Sequence, residues 1–415
     1  FDFLTDSGTS AMSAQQWAAM MMGDESYAGS ASFRRFHQVV GDLTGLQEII
    51  PTHQGRAAEA LLCKVLLRPG QRVLGNTQFD TTRANIESSG GISIDLPAPE
   101  SVDSQAEFPF KGNVDLDRLQ RLLEENATSV SFFVMTITNN SIGGQPVSLE
   151  NIKKTQRLLR QYRIPFFIDA ARFAENAYLI QQREPGQQGR SVAGLAREIF
   201  SMADGVLMSA KKDAFANIGG FLALRDSALA SAVREQMVIT EGFPTYGGLA
   251  GRDLEAIATG LQEIQDENYL AYRIRSVEYF GRGLQEAGFK TVRPLGGHAV
   301  YLDAAAVAPH LKPHQFPAQS LAVALYEEIG LRGVEVGSLM FGRHDSNTGR
   351  EISADHELVR LALPRRVYTQ SHIDYIIEAA FELAKRFDQL PPYRILEQPR
   401  FLRHFTAKLS REELS

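Results

Sequence analysis

Lys212 lies in the run Met208-Ser209-Ala210-Lys211-Lys212-Asp213, just past one apolar segment, and Asp169-Ala170-Ala171-Arg172 follows another, Pro165-Phe166-Phe167-Ile168. A lysine at a strand end can form a Schiff base. An aspartate at a neighbouring strand end can keep a pyridine nitrogen protonated, which turns the ring into an electron sink. The pair therefore reads as pyridoxal phosphate (PLP) chemistry. Two more stretches suit it. Thr52-His53-Gln54-Gly55-Arg56 looks like a glycine-bearing turn opening a helix, where backbone N–H groups and an arginine can hold a phosphate. Phe79, after Leu74-Gly75-Asn76, could stack on a flat ring. Singly, each has a plainer explanation: a solvated lysine pair, a helix N-cap, a loop-to-helix junction, a core aromatic. Weight comes from the order, phosphate turn, aromatic, Asp-x-x-Arg, then Ser-x-x-Lys.

Positioning these groups requires strands that end where they begin. From Val130 to Ile168 the chain reads as a βαβ unit: the apolar run Ser131-Phe132-Phe133-Val134-Met135, a loop at Gly143-Gly144-Gln145-Pro146, and Ser148 as N-cap. Leu149, Ile152, Leu159 and Tyr162 then recur at roughly helical spacing before the next apolar strand. A second unit follows, with Val192 to Phe200 helical and Asp204-Gly205-Val206-Leu207-Met208 a strand. Asp169 and Ser209 are thereby expected at carboxyl ends of strands, where ligands bind in open α/β sheets. After about Gly260 longer amphipathic helices appear, such as Tyr269 to Ala287 stopped by Gly288, with short strands near Val300 and Arg360. The expected division is a large α/β domain over 13–266 and a smaller α+β domain over 1–12 and 267–415.

Composition narrows the classes. The 415 residues are 44% hydrophobic and 22% charged, enough for two domains. A net charge of −6 from 49 acidic and 43 basic residues, without a basic block, argues against a nucleic-acid partner. Cys63 is the single cysteine, which excludes an internal disulfide framework and favours a reducing, cytoplasmic location. No apolar run approaches the roughly 20 residues that cross a bilayer, so no membrane association is expected. The chain begins at Phe1 rather than Met, and a preceding segment is expected.

Several stretches resemble the β-eliminating lyases of the tryptophanase and tyrosine phenol-lyase family. They are Leu4-Thr5-Asp6-Ser7-Gly8, Met21-Met22-Gly23-Asp24-Glu25, Pro51-Thr52-His53-Gln54-Gly55-Arg56, Gly143-Gly144-Gln145-Pro146-Val147-Ser148, Ala171-Arg172-Phe173-Ala174-Glu175-Asn176, Met208-Ser209-Ala210-Lys211-Lys212-Asp213 and Leu402-Arg403-His404-Phe405. The resemblance runs from end to end. It implies a fold type I, aspartate-aminotransferase architecture, PLP as cofactor and a small-molecule amino-acid substrate. By it, Lys212 is the Schiff-base lysine, Gln54, Gly55, Arg56 and Ser209 bind phosphate, and Lys211 belongs to the same cofactor set. Phe79 stacks on the ring, Asp169 meets the pyridine nitrogen, and Arg172 and Asn140 approach the cofactor's phenolic oxygen. Arg360 clamps the substrate carboxylate, with Thr5 and Asn140 on the substrate side. Tyr27 takes part in protonating the leaving group and reaches the neighbouring subunit's site in a homotetramer with active sites at its dimer interface. A potassium site maps to Glu25, Asn217 and a carbonyl near Gly8.

Three positions discriminate the leaving group. Val336 stands where the phenol-lyases have an arginine suited to a phenolate, and a buried phenolate without its cation is costly. Asp80 replaces their threonine and can accept a hydrogen bond from an indole N–H. His404 replaces their phenylalanine. All three point to indole, although Ala11-Met12-Ser13, Gly248-Leu249-Ala250-Gly251-Arg252-Asp253 and Pro364-Arg365-Arg366-Val367-Tyr368 resemble the phenol-lyases more closely. The expected reaction is elimination of indole from tryptophan. Its alternatives are phenol elimination from tyrosine, a silent member of the fold that only binds ligand, and a transaminase.

Overall fold

Alternation of apolar runs with amphipathic helices builds one mixed seven-stranded sheet. Its strands are β1 (Glu48–Thr52), β2 (Arg72–Gly75), β3 (Ile92–Asp95), β4 (Val130–Thr136), β5 (Phe166–Asp169), β6 (Gly205–Ser209) and β7 (Gly220–Leu224), in spatial order β1-β7-β6-β5-β4-β2-β3. Strands β3 to β6 with β2 pair in parallel, while β7 runs antiparallel to both β6 and β1. The computed structural model describes residues 1–345, 350–399 and 402–413.

The expected βαβ units are present. Ser148 caps the helix Leu149–Gln161 by accepting from the Asn151 N–H, and the helix Val192–Ser201 leads into β6. Central strands such as β6 and β7 are buried along their whole length, as continuous apolar runs covered on both faces must be. Ile50, Leu61, Leu62, Phe132, Phe167, Leu207 and Leu222 form the core on one face of this sheet. The expected later helix spans Glu267–Glu286 and stops before Gly288, whose φ of 105° lies in the left-handed region. No helix among the described residues is long and apolar enough to cross a membrane.

Two units divide the chain: Ser7–Ser101 with Pro109–Tyr272, and Phe1–Asp6 with Val102–Phe108 and Arg273–Ser415. These bounds differ from the expected 13–266 against 1–12 and 267–415. Residues 7–12 join the larger unit because the Gly8 N–H donates to the Lys211 carbonyl at 2.8 Å, and Asn217 donates to the Gly8 and Ser10 carbonyls. The excursion 102–108 joins the smaller one because Ser104 donates to Asp303 at 2.5 Å and accepts from the Arg293 N–H at 2.8 Å. Bonds between such distant positions leave no periodic trace. In the smaller unit the strands Ala299–Asp303, Leu358–Ala362 and Val334–Val336 form an antiparallel sheet over a core that includes Phe3, Phe280, Val300, Leu321 and Leu361.

Candidate active site

Register aligns the carboxyl ends of the large sheet. Thr52 pairs with Gly220, Gly220 with Ser209, and Asp169 with Thr136. The helix Gly55–Leu66 begins directly against Ser209, and a Cβ on Gly55 would lie 2.7 Å from the Ser209 Cβ, so this approach requires glycine. Gln54 occupies the N-cap without a side-chain capping bond, and the Lys211 ammonium lies 3.5 Å from its Oε1. Burial, and then the charge of Arg56, holds Lys211 below the usual lysine range. The Ser209 hydroxyl is buried and makes no hydrogen bond. Two mutually repelling cations, a helix N-terminus and an orphaned hydroxyl suit a phosphate, which would satisfy all of them at once.

Beside this corner, burial raises the half-buried Asp169 carboxyl, while the charges of Lys212 and Arg172 and a 3.1 Å bond from the Ala171 N–H pull it down. Asp169, Lys212 and Arg172 thus share one electrostatic environment. Asp213 links the segments of Lys212 and Arg172 by a hydrogen bond. It is fully buried beside Lys212 and accepts from the Ala174 N–H at 2.8 Å, in the first turn of the helix Phe173–Arg183 whose N-cap is Arg172. Asn140 is buried in the short turn after β4. Gln78, Thr138 and Asn139, in the loops leaving β2 and β4, hold buried side-chain polar atoms with no hydrogen-bond partner. A polar ligand at this rim would give them partners.

Phe79 is the half-buried N-cap of the helix Asp80–Ser88, and the buried Asp80 carboxylate accepts from the Thr81 N–H at 2.6 Å. Glu59 went unrecognised in the sequence. One turn along from Arg56, it accepts from Thr82 at 3.0 Å and Asn85 at 3.2 Å, which pins the helix that starts at Asp80. Burial, and then the Asp169 charge, pushes its carboxyl up to about 7, against the pull of Lys212. The available signal was a carboxylate beside Ala58, Leu61 and Leu62 on a helix whose other charged residues are Arg56 and Lys64.

Not every expected residue gathers here. Tyr27 is 74% exposed and packs against Phe243 and Tyr246, at ring separations of 5.6 and 5.4 Å. Asn217 does meet Gly8, donating to its carbonyl at 3.0 Å, whereas the exposed Glu25 accepts from the Gly251 N–H. Among the described residues no three acidic, histidine or cysteine side chains cluster as a metal site. The remaining candidates belong to the smaller unit. Arg360 donates to the Leu4 carbonyl at 3.2 Å, which sets it beside Thr5. Val336 is buried against Tyr301, Leu358 and Ala362, and the half-buried His404 stacks on Phe405 at 4.2 Å.

The sequence profile of the β-eliminating lyase family matches residues 2–379. A tryptophanase of Salinibacter ruber is 58% identical over 408 residues, covering 98% of this chain and 86% of the relative. A tyrosine phenol-lyase of Clostridium tetani is 46% identical, covering 98% and 88%. Among solved structures, the aspartate aminotransferase of Thermus thermophilus superposes with a TM-score of 0.65 at 16% identity, covering 92% and 91%, a likeness of fold.

Proposed function

This chain belongs to the β-eliminating lyase family, and from that membership we propose that it splits L-tryptophan into indole, pyruvate and ammonium with PLP as cofactor. The corner of Gln54, Gly55, Arg56, Ser209 and Lys211 holds the phosphate. Asp169 keeps a proton on the pyridine nitrogen, Phe79 stacks on the ring, and Arg172 and Asn140 meet the phenolic oxygen. When bound, the cofactor supplies an electron sink for charge released at the substrate Cα. Lys212, which carries the cofactor at rest, then takes the Cα proton as general base. Arg360, with Thr5, binds the substrate carboxylate. Asp80 accepts the indole N–H, and His404 and Val336 bound the ring. Tyr27 acts from a second copy on the leaving carbon, within a homotetramer. Potassium at the Gly8 carbonyl, Asn217 and Glu25 completes the reading.

The observation that carries the cofactor is the buried, partnerless hydroxyl of Ser209, a residue packed against the turn at Gly55 where Lys211 approaches Gln54. Identity of 58% to a tryptophanase against 46% to a phenol-lyase supports indole as leaving group. So do Asp80 and Val336, because a site built around a substrate N–H rejects analogues lacking it. Separate incubations with tryptophan and tyrosine, assayed for indole, phenol and pyruvate, test the choice. Indole from tryptophan is expected; phenol without indole overturns it.

A further inference from the structure

We propose that Glu335 and Glu357 are a positioning pair that shares one proton at neutral pH, and that this proton holds the turn 337–342, which joins Val336 to the segment of His404. Its consequence for the leaving group rests on the reading of Val336 and His404 given above; the pair itself rests on the geometry of the smaller unit.

In the middle of the strand Val334–Val336, Glu335 accepts from the Leu339 N–H and the Met340 N–H, each at 2.9 Å. Glu357, just before the strand Leu358–Ala362, accepts from the Ser338 N–H at 3.1 Å and from the Ser338 hydroxyl, which itself accepts from the Ala354 N–H. From the C-terminal segment, Arg403 donates to the Leu339 carbonyl at 3.0 Å and the Ser338 carbonyl at 2.5 Å. Three consecutive amides therefore end on carboxylates and two carbonyls on one guanidinium. Side-chain charge joins the turn's own backbone bonds, from the Phe341 and Gly342 N–H groups to the Gly337 and Ser338 carbonyls, in giving it its shape.

Gly337 marks where the carboxylates converge. A Cβ there would lie 2.7 Å from Glu357 Oε2 and 2.8 Å from Glu335 Oε1. Both residues are buried, at 3% and 4% exposure, and Glu357 Oε2 makes no hydrogen bond. Two bare carboxylates so placed repel one another where water screens little, and one proton removes that repulsion. Burial, and then the Glu357 charge, pushes Glu335 up to about 8; burial pushes Glu357 up to about 7, with Asp303 adding to it. The other charges facing the turn are Arg403 and its partner Glu351, 2.8 Å away, while the helix Pro317–Ile329 contributes the Ala318 amide. One guanidinium among four carboxylates leaves the pair dependent on its proton. Folded-state affinity for the proton exceeds that of the unfolded chain, so its stabilisation is complete below about pH 4.5 and lost as pH rises through about 8.

Hydrogen exchange of the cofactor-loaded protein, corrected for the intrinsic rate, tests this between about pH 6 and about pH 9.5. The wild-type amides 338–340 are expected to lose protection by about tenfold or more across that range. Glu357→Gln, whose N–H takes the place of the acid proton at the oxygen that accepts no bond, is expected to keep it; Glu335→Gln, which leaves the Leu339 or the Met340 N–H without its acceptor, is expected to be less protected at every pH but without the alkaline fall. Over the same range the wild-type KM for tryptophan is expected to rise several-fold at steady kcat, and to stay level in Glu357→Gln. If the variants do not fold, the wild-type infrared spectrum decides: a protonated carboxyl stretch at neutral pH, lost by about pH 9, supports the pair. Protection without pH dependence, an unchanged alkaline loss in both variants, absence of that stretch, or protection that follows potassium concentration instead of pH overturns it. Should indole release fail while the exchange result holds, the leaving-group reading falls and the pair stands.

Discussion

Lys212 and Asp169 end neighbouring stretches of chain, yet what makes them a pair is their shared field, in which burial of the aspartate is opposed by the lysine and Arg172. On the proposed reading, replacing Lys212 with alanine removes both the cofactor's anchor and the general base. Indole release is expected to fall by about 10²–10⁴ or more, with loss of the visible absorbance of the reconstituted protein; a variant that keeps both removes Lys212 from the site. Glu59 extends this field outward. Its carboxyl is raised from 4.5 to about 7, so the folded protein holds the proton more tightly than the unfolded chain. That contribution to stability is complete below about pH 4.5 and disappears as pH rises through about 7. Glu59→Gln is expected to flatten the fall in urea midpoint over this window while keeping an acceptor for one of the two donors, Thr82 and Asn85. An undiminished slope in the variant assigns the pH dependence to another group.

At the level of elements, the sequence shows most where one pattern persists for a whole strand or helix. Ser148, the run ending at Ile168 and the stop at Gly288 were legible because capping chemistry, continuous apolar character and left-handed glycine each leave a local mark. Two elements left a weaker one. The helix Phe173–Arg183 is buried at nine consecutive positions, Phe173 to Gln181, so it shows no polar face to betray its period. The antiparallel direction of β7 is likewise invisible, since a strand buried on both faces reads the same whichever way it runs. Where the helix Gly55–Leu66 meets β6, spacing is so close that Gly55→Ala would force its new methyl to within 2.7 Å of the Ser209 Cβ. A loss of about 1–3 kcal/mol is expected, together with weaker cofactor retention. Equilibrium dialysis of cofactor and urea unfolding measure the two, and unchanged values for both refute the close approach.

For the molecule as a whole, each unit carries its own core, and the first residues of the chain belong to the one built mostly from the last third. Asp6 and Arg365 join these ends through an ion pair at 2.9 Å, with side chains 1% and 0% exposed. Asp6→Ala removes the carboxylate paired with the buried Arg365 guanidinium and is expected to cost about 3–5 kcal/mol, read as a lower urea midpoint; a cost near zero means that the pair adds nothing to stability. Such an element cannot be found by local pattern, because its partners lie 359 positions apart. The amino-acid sequence by itself determined the cofactor chemistry, since the order of phosphate turn, aromatic, aspartate and lysine survives in a linear string, and it indicated the lyase family through the stretches that resemble it from end to end. Only the tertiary structure decided which carboxylates keep company: Glu59 with Asp169, Glu335 with Glu357, Asp213 with the first turn of Phe173–Arg183. A carboxylate's proton affinity depends on burial and on charges a few ångströms away, and both are created when distant segments pack.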